Sequence, residues 1–172
     1  LGDWSRDGRW IVYESLSLGE DTWDVMAYDT VDGVQVPIAT GPFVQQFPAL
    51  SPDGRWLAFV SSESGRQEIY IQPFPEGQGR WMVSTDGGTR PMWKGDGREL
   101  VFFDAEADDV YAVAVTGGDT PSFGAPEPLF ISTLRTGTGN LSAMTSDGKR
   151  FLLNERPLMD RGEQSASLIQ NW

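Results

Sequence analysis

Four aspartates, Asp7, Asp53, Asp96 and Asp147, each stand directly before a glycine, Gly8, Gly54, Gly97 and Gly148. Carboxylates are the first groups to test for chemistry here. The chain contains no His and no Cys, so a Ser-His-Asp or Cys-His relay, a zinc site built on imidazole or thiolate, an iron–sulfur cluster and a disulfide are all excluded within it. Two facing carboxylates alone can hydrolyse a glycosidic bond. An aspartate ahead of a glycine is also the expected chemistry of a chain reversal: the carboxylate accepts from backbone amides just ahead of it, and the glycine takes the positive φ that other residues resist. Recurrence of the same pair at one place per repeat favours turn-making, because a catalytic site needs different residue types converging from different elements.

A second candidate set is suited to binding. Gln45, Gln46, Thr89, Arg90, Asn140 and Ser142 precede or open strands expected to line a channel. Arg90 is the sharpest of these, since a guanidinium can clamp a carboxylate in a fork of hydrogen bonds; its alternative is a surface ion pair of little worth. Trp10, Trp56, Trp81 and Trp93 suit an aromatic platform or, more simply, core filling. Trp23 lies among charges in Glu20-Asp21-Thr22-Trp23-Asp24 and is a candidate surface contact. The acidic run Glu106-Ala107-Asp108-Asp109 lacks the spacing of a dedicated calcium loop and reads as a solvated hairpin. Gly87-Gly88 precedes no helix, so it reads as a close turn between units and not as a phosphate cradle. No cofactor and no metal is called for.

The elements that must position these groups follow from a phrase that returns four times: Trp4-Ser5-Arg6-Asp7-Gly8-Arg9-Trp10-Ile11, Leu50-Ser51-Pro52-Asp53-Gly54-Arg55-Trp56-Leu57, Trp93-Lys94-Gly95-Asp96-Gly97-Arg98-Glu99-Leu100 and Met144-Thr145-Ser146-Asp147-Gly148-Lys149-Arg150-Phe151. The aspartates are spaced by 46, 43 and 51 residues, close to the period of a four-stranded propeller blade and far from helical solenoid periods. In the clearest repeat, Phe47–Leu50 and Trp56–Val60 flank the turn. Glu68–Gln72 gives a third strand and Trp81–Ser84 a fourth. Second-strand cores are Ile11–Tyr13, Leu57–Phe59, Leu100–Phe102 and Phe151–Leu153, uninterrupted apolar runs expected of sheets covered on both faces. Third strands are expected at Val25–Tyr28, Ile69–Gln72, Val110–Val113 and Leu168–Asn171, with further fourth strands at Val36–Ala39 and Pro128–Phe130.

The expected fold class is therefore all-β: a partial propeller of four-stranded antiparallel blades over residues 1–40, 45–85 and 89–131, plus three strands of a fourth blade over 140–172, forming one domain. An open sandwich or meander is the alternative. The fourth strand of the last blade, and any missing blades, are expected from sequence ahead of Leu1 or from a second copy of the chain. With 13 basic and 25 acidic residues the net charge is −12, which argues against nucleic acid as a partner. No apolar run is long enough to cross a bilayer or to form a signal-peptide core.

Residues 47–72, an apolar strand, Ser-Pro-Asp-Gly-Arg, an apolar strand and Glu-Ile-Tyr-Ile, resemble the TolB-like, WD40-like β-propeller repeats, and the resemblance extends from Trp4 to Trp172. The third and fourth turns depart from it, with Gly95 and Ser146 in place of Pro52. More narrowly, Ser61–Pro75, Arg80–Thr85 and Gly87–Trp93 resemble C-terminal propellers of bacterial membrane-anchored serine/threonine kinases, although no kinase motif is present. That resemblance implies a non-catalytic sensing or interaction module outside the cytoplasm, with a protein, a peptide or a small anionic ligand as partner. The alternatives are a periplasmic TolB-like scaffold and the gating propeller of a prolyl-oligopeptidase-like peptidase. The cytoplasm stays open as a location, since a disulfide-free domain lives on either side of a membrane.

Overall fold

The computed structural model describes residues 2–17, 22–76, 78–104, 109–116, 118, 120–130, 142–155 and 165–170. Among them every regular element is a β-strand, and the strands form four antiparallel sheets in chain order. The first sheet is β1 (Gly2–Trp4), β2 (Trp10–Leu16), β3 (Trp23–Asp29) and β4 (Val34–Ala39). The second is β5 (Gln45–Leu50), β6 (Trp56–Ser61), β7 (Glu68–Pro73) and β8 (Trp81–Met82). Both are meanders in which each strand pairs with the next.

The third sheet is β9 (Thr89–Trp93), β10 (Glu99–Phe103) and β11 (Val110–Thr116), with two short strands, β12 (Ser122–Phe123) and β13 (Glu127–Phe130), sharing the outer edge of β11. A single outer strand at Pro128–Phe130 is the sequence expectation, and the split has a local cause. Pro121, Pro126 and Pro128 bring no amide donor to a ladder, and Gly124 between them donates to the Ala114 carbonyl at 2.9 Å. The fourth sheet holds β14 (Ser142–Met144), β15 (Arg150–Glu155) and β16 (Ser165–Gln170). Asn171, placed by the sequence reading at the end of the last strand, lies outside the described residues.

The core lies between sheets. Strand β6 shows why its apolar run is uninterrupted: every residue in it is buried. Leu57 and Phe59 point to the first sheet and join Val12, Val25 and Ala27 in one cluster. Trp56, Ala58 and Val60 point the other way and join Leu100, Phe102 and Val113 of the third sheet. The third and fourth sheets meet through Phe103, Val110 and Phe151. Each fully buried aliphatic or aromatic side chain contributes about 1.5–3 kcal/mol by leaving water, so the stack is held by face-to-face burial, with first strands along its inner edge.

Candidate functional site

The four Asp-Gly reversals are built alike. The amides of Gly8, Gly54, Gly97 and Gly148 donate to the carbonyls of Ser5, Ser51, Lys94 and Thr145 at 2.9, 2.9, 2.9 and 2.8 Å. Each glycine has φ between 70° and 76°. One oxygen of each aspartate accepts from the amide two residues on, at 3.0 Å for Arg9, 3.1 Å for Arg55, 3.0 Å for Arg98 and 3.0 Å for Lys149. In three turns a hydroxyl completes a clamp: Ser5, Ser51 and Thr145 donate to the aspartate at 2.6, 2.6 and 2.5 Å. The same hydroxyls accept from the amides of Trp10, Trp56 and Arg150. These bonds favour the charged form. The Ser5 hydroxyl, followed by the Arg9 amide, holds Asp7 below the usual carboxylate range, and Thr145 followed by Lys149 does the same for Asp147.

In the third turn Lys94 replaces the hydroxyl residue and reaches Glu99 at 3.1 Å. Gly95 replaces proline there for a tertiary reason. Its amide donates to the Ser146 carbonyl of the fourth turn at 2.7 Å, and a Cβ at Gly95 would stand 2.8 Å from the Ser146 Cβ.

The proposed channel residues are dispersed. A concavity of about 410 Å³ along the inner edge draws its wall from all four first strands, including Asp3, Trp4, Pro48, Pro91, Trp93 and Met144. Gln45, Gln46, Thr89 and Arg90 do not line it. Gln45 is 1% exposed, and its side-chain carbonyl has no hydrogen-bond partner among the described residues. Thr89 is buried, Gln46 half-buried, and Arg90 sits over the Phe103 ring at 5.9 Å. Ser142 is the first residue of β14; Asn140 lies outside the described residues. The cause is visible in the backbone: Phe47 and Arg90 both have positive φ, 53° and 52°, each at a register shift of a first strand. Residues ahead of the kink are turned away from the cavity wall that follows it.

The tryptophans divide. Trp56 is buried; Trp10, Trp81 and Trp93 pack partly buried against the clusters between sheets. Trp56 meets Trp81 edge-on at 5.9 Å, and Trp10 meets Phe74 at 5.4 Å. Trp4, by contrast, is 59% exposed on the cavity. Trp23 is 37% exposed. Glu20, Asp21 and residues 105–108 lie outside the described residues.

Sequence reading missed the buried acids. Glu68 is 2% exposed and is held by the Arg66 guanidinium at 2.7 Å, the Ser84 hydroxyl and the Gly87 amide at 3.1 Å. It braces the loop entering the third sheet, where a Cβ at Gly88 would stand 2.7 Å from Ile69. Asp24, only half-buried, accepts from the Gly41 amide at 3.3 Å in the equivalent loop of the first sheet. The available signal was an acid directly before the apolar core of the third strand, at Asp24, Glu68 and Asp109. Asp29, also 2% exposed, takes two hydrogen bonds from Arg9, at 2.9 and 2.6 Å, and the Val31 and Asp32 amides. The Arg9 bonds dominate, lowering its pKa to about 2.

Solved structures with this arrangement carry the assignment. TolB from Acinetobacter baumannii aligns over 98% of this chain and 40% of its own length, with a TM-score of 0.70 and 20% identity. The chain is an arc of a β-propeller. A putative TolB from Agrobacterium tumefaciens aligns over 74% of the chain and 47% of its own length, with a TM-score of 0.59 and 26% identity. Among relatives by sequence, an uncharacterized protein of Agrobacterium fabrum is 26% identical over 86% of this chain, which spans 52% of that protein. The uncharacterized peptidase YuxL of Bacillus subtilis is 29% identical over 57% of the chain, covering 16% of the peptidase. No protein-family model matches the sequence.

Proposed function

We propose that this arc belongs to a TolB-like scaffold, a non-catalytic propeller on the outer side of a bacterial cytoplasmic membrane that docks another protein along its inner cavity. The observation carrying this reading is the likeness to TolB over 98% of the chain. The chemistry of the acidic groups agrees with it. The turn carboxylates accept from backbone amides, and the buried acids Asp29 and Glu68 are engaged by guanidinium groups. The TolB likeness supports a scaffold more directly than a kinase-linked sensor. A second reading, the propeller of a peptidase, rests on the YuxL likeness.

Photo-crosslinking separates them. A benzophenone amino acid in place of Trp4 faces the cavity; the same group at Val31, 73% exposed on the β3–β4 turn, is the control. A scaffold gives one discrete protein adduct from Trp4 and none from Val31. A smear of short peptides at Trp4 supports the peptidase propeller, and equal adducts at both positions overturn docking at the cavity.

A further inference from the structure

The three junctions between sheets follow one rule. Counted from their Asp-Gly turns, Ile11, Leu57, Leu100 and Phe151 hold the same place, and so do Val12, Ala58, Val101 and Leu152. Val12 of the first sheet packs with Leu57 and Phe59 of the second. Ala58 of the second packs with Leu100 and Phe102 of the third, and Val101 of the third with Phe151 of the fourth. Each sheet therefore has two unlike faces, and every junction sets the Val12-type face of one sheet on the Ile11-type face of the next.

Two such faces are left over, one at each end of the stack. Among the described residues nothing covers Leu152, 46% exposed, or Ala143, exposed beside it in the register. At the other end Ile11 stands beside Tyr28 and Tyr13 beside Met26, all half-buried. Their counterparts in the second sheet show what a neighbour does: Leu57 and Phe59 are fully buried and Tyr70 is 6% exposed. The leftover faces are thus the two halves of one more junction under the same rule. A face built to the register of this repeat is matched by a surface of the same repeat, and this chain already carries one exposed. We infer that a second copy of the chain supplies the missing side, the Leu152 face of one copy packing on Ile11, Tyr13 and Met26 of the other. Aromatic residues and Met are enriched at protein interfaces. The contact is heterologous, and such contacts form a ring when the rotation closes. Used twice, it joins two four-sheet arcs into eight sheets, inside the usual range of about four to eight blades. Each copy has a net charge of −12, so the pairing works against repulsion and strengthens as salt screens it.

The chain has no Cys, so single sites can be linked cleanly. Tyr13→Cys and Leu152→Cys chains, one of them affinity-tagged, are treated with a short bismaleimide, together and apart. The mixture should give a product of twice the 19.0 kDa chain. Either variant alone should give about tenfold less, because a head-to-tail contact never sets like faces together. Light scattering should show the unmodified chain passing from one copy to two as concentration rises through about the micromolar range. Leu152→Arg should weaken the pairing about tenfold or more by burying an unpaired charge, whereas Val31→Arg, on the exposed β3–β4 turn, should leave it unchanged. A chain that stays single at about 100 micromolar, or equal cross-linking in the mixture and in either variant alone, overturns the inference. Light scattering of the unmodified chain decides by itself if a Cys variant fails to fold. Trp4 pairs with Ile11 at the edge of this face, so a Trp4 photo-adduct of twice the chain mass belongs to the junction. An adduct of any other mass reports the scaffold's partner, and the two readings fail separately.

Discussion

The first and second sheets have the same strand order and matching registers, yet their second strands are covered differently. Tyr13 pairs with Met26 as Phe59 pairs with Tyr70. Phe59 is fully buried and Tyr70 6% exposed, against half-buried Tyr13 and Met26. Trp4, at the place of Leu50, is 59% exposed where Leu50 is 6% exposed. The second sheet has a neighbour on each side, and the face of the first sheet turned away from it does not among the described residues. In stacked sheets, burial is set by the neighbour as much as by the strand's own sequence.

The comparison is broken most directly at its centre. Phe59→Ala should cost about 3–5 kcal/mol, the range for large-to-small changes in a packed core, whereas Tyr13→Ala should cost the unpaired chain no more than about 1 kcal/mol. Urea midpoints at constant slope, read at a dilution where copies are apart, measure both. Equal losses would mean that Tyr13 is covered within a single copy.

A smaller contrast lies in the turns. Gly95→Ala pushes a methyl group against Ser146 and should cost about 1–3 kcal/mol as an overpacking change. Pro52→Ala in the corresponding turn of the second sheet should cost about 0.4–1 kcal/mol, through the unfolded chain alone. Thermal unfolding of the two variants side by side decides the matter, and a harmless Gly95→Ala would show the third and fourth turns apart in solution.

The smallest effect is electrostatic. Asp29 pairs with Trp10 at the place where Pro73 pairs with Trp56, so only the first sheet carries a buried carboxylate there. Its folded pKa, about 2, lies below the ordinary value of 3.8. The stabilisation is thus present above about pH 4 and is lost as pH falls toward about 2. Asp29→Asn should flatten the acid limb of a stability–pH profile without abolishing it, since Asp7 and Asp147 are also lowered. An unchanged limb would take Asp29 out of the account.

What could be read from the sequence was what is decided locally. Asp-Gly reversals need only their own few residues, and the apolar runs of Leu57–Phe59 and Leu100–Phe102 announce two covered faces. The binding residues were less legible. Gln45 and Thr89 stand at the right offset from their turns, but the positive φ of Phe47 and Arg90 turns the chain between them and the cavity. That kink depends on distant partners, among them the Glu14 carboxylate of the first sheet accepting from the Phe47 amide at 2.7 Å.

The hydrogen bond from the Gly95 amide to the Ser146 carbonyl also bears on how such a chain can be rebuilt. Proline at that place would forfeit the donor and collide with the next turn, so a duplicate of the second repeat spliced into the third position would not seat. Sequences that look like copies of one module are thereby addressed to fixed places in the array. Recombination between them would be filtered by a single residue on a reversal, not by the sheets that make up most of the module.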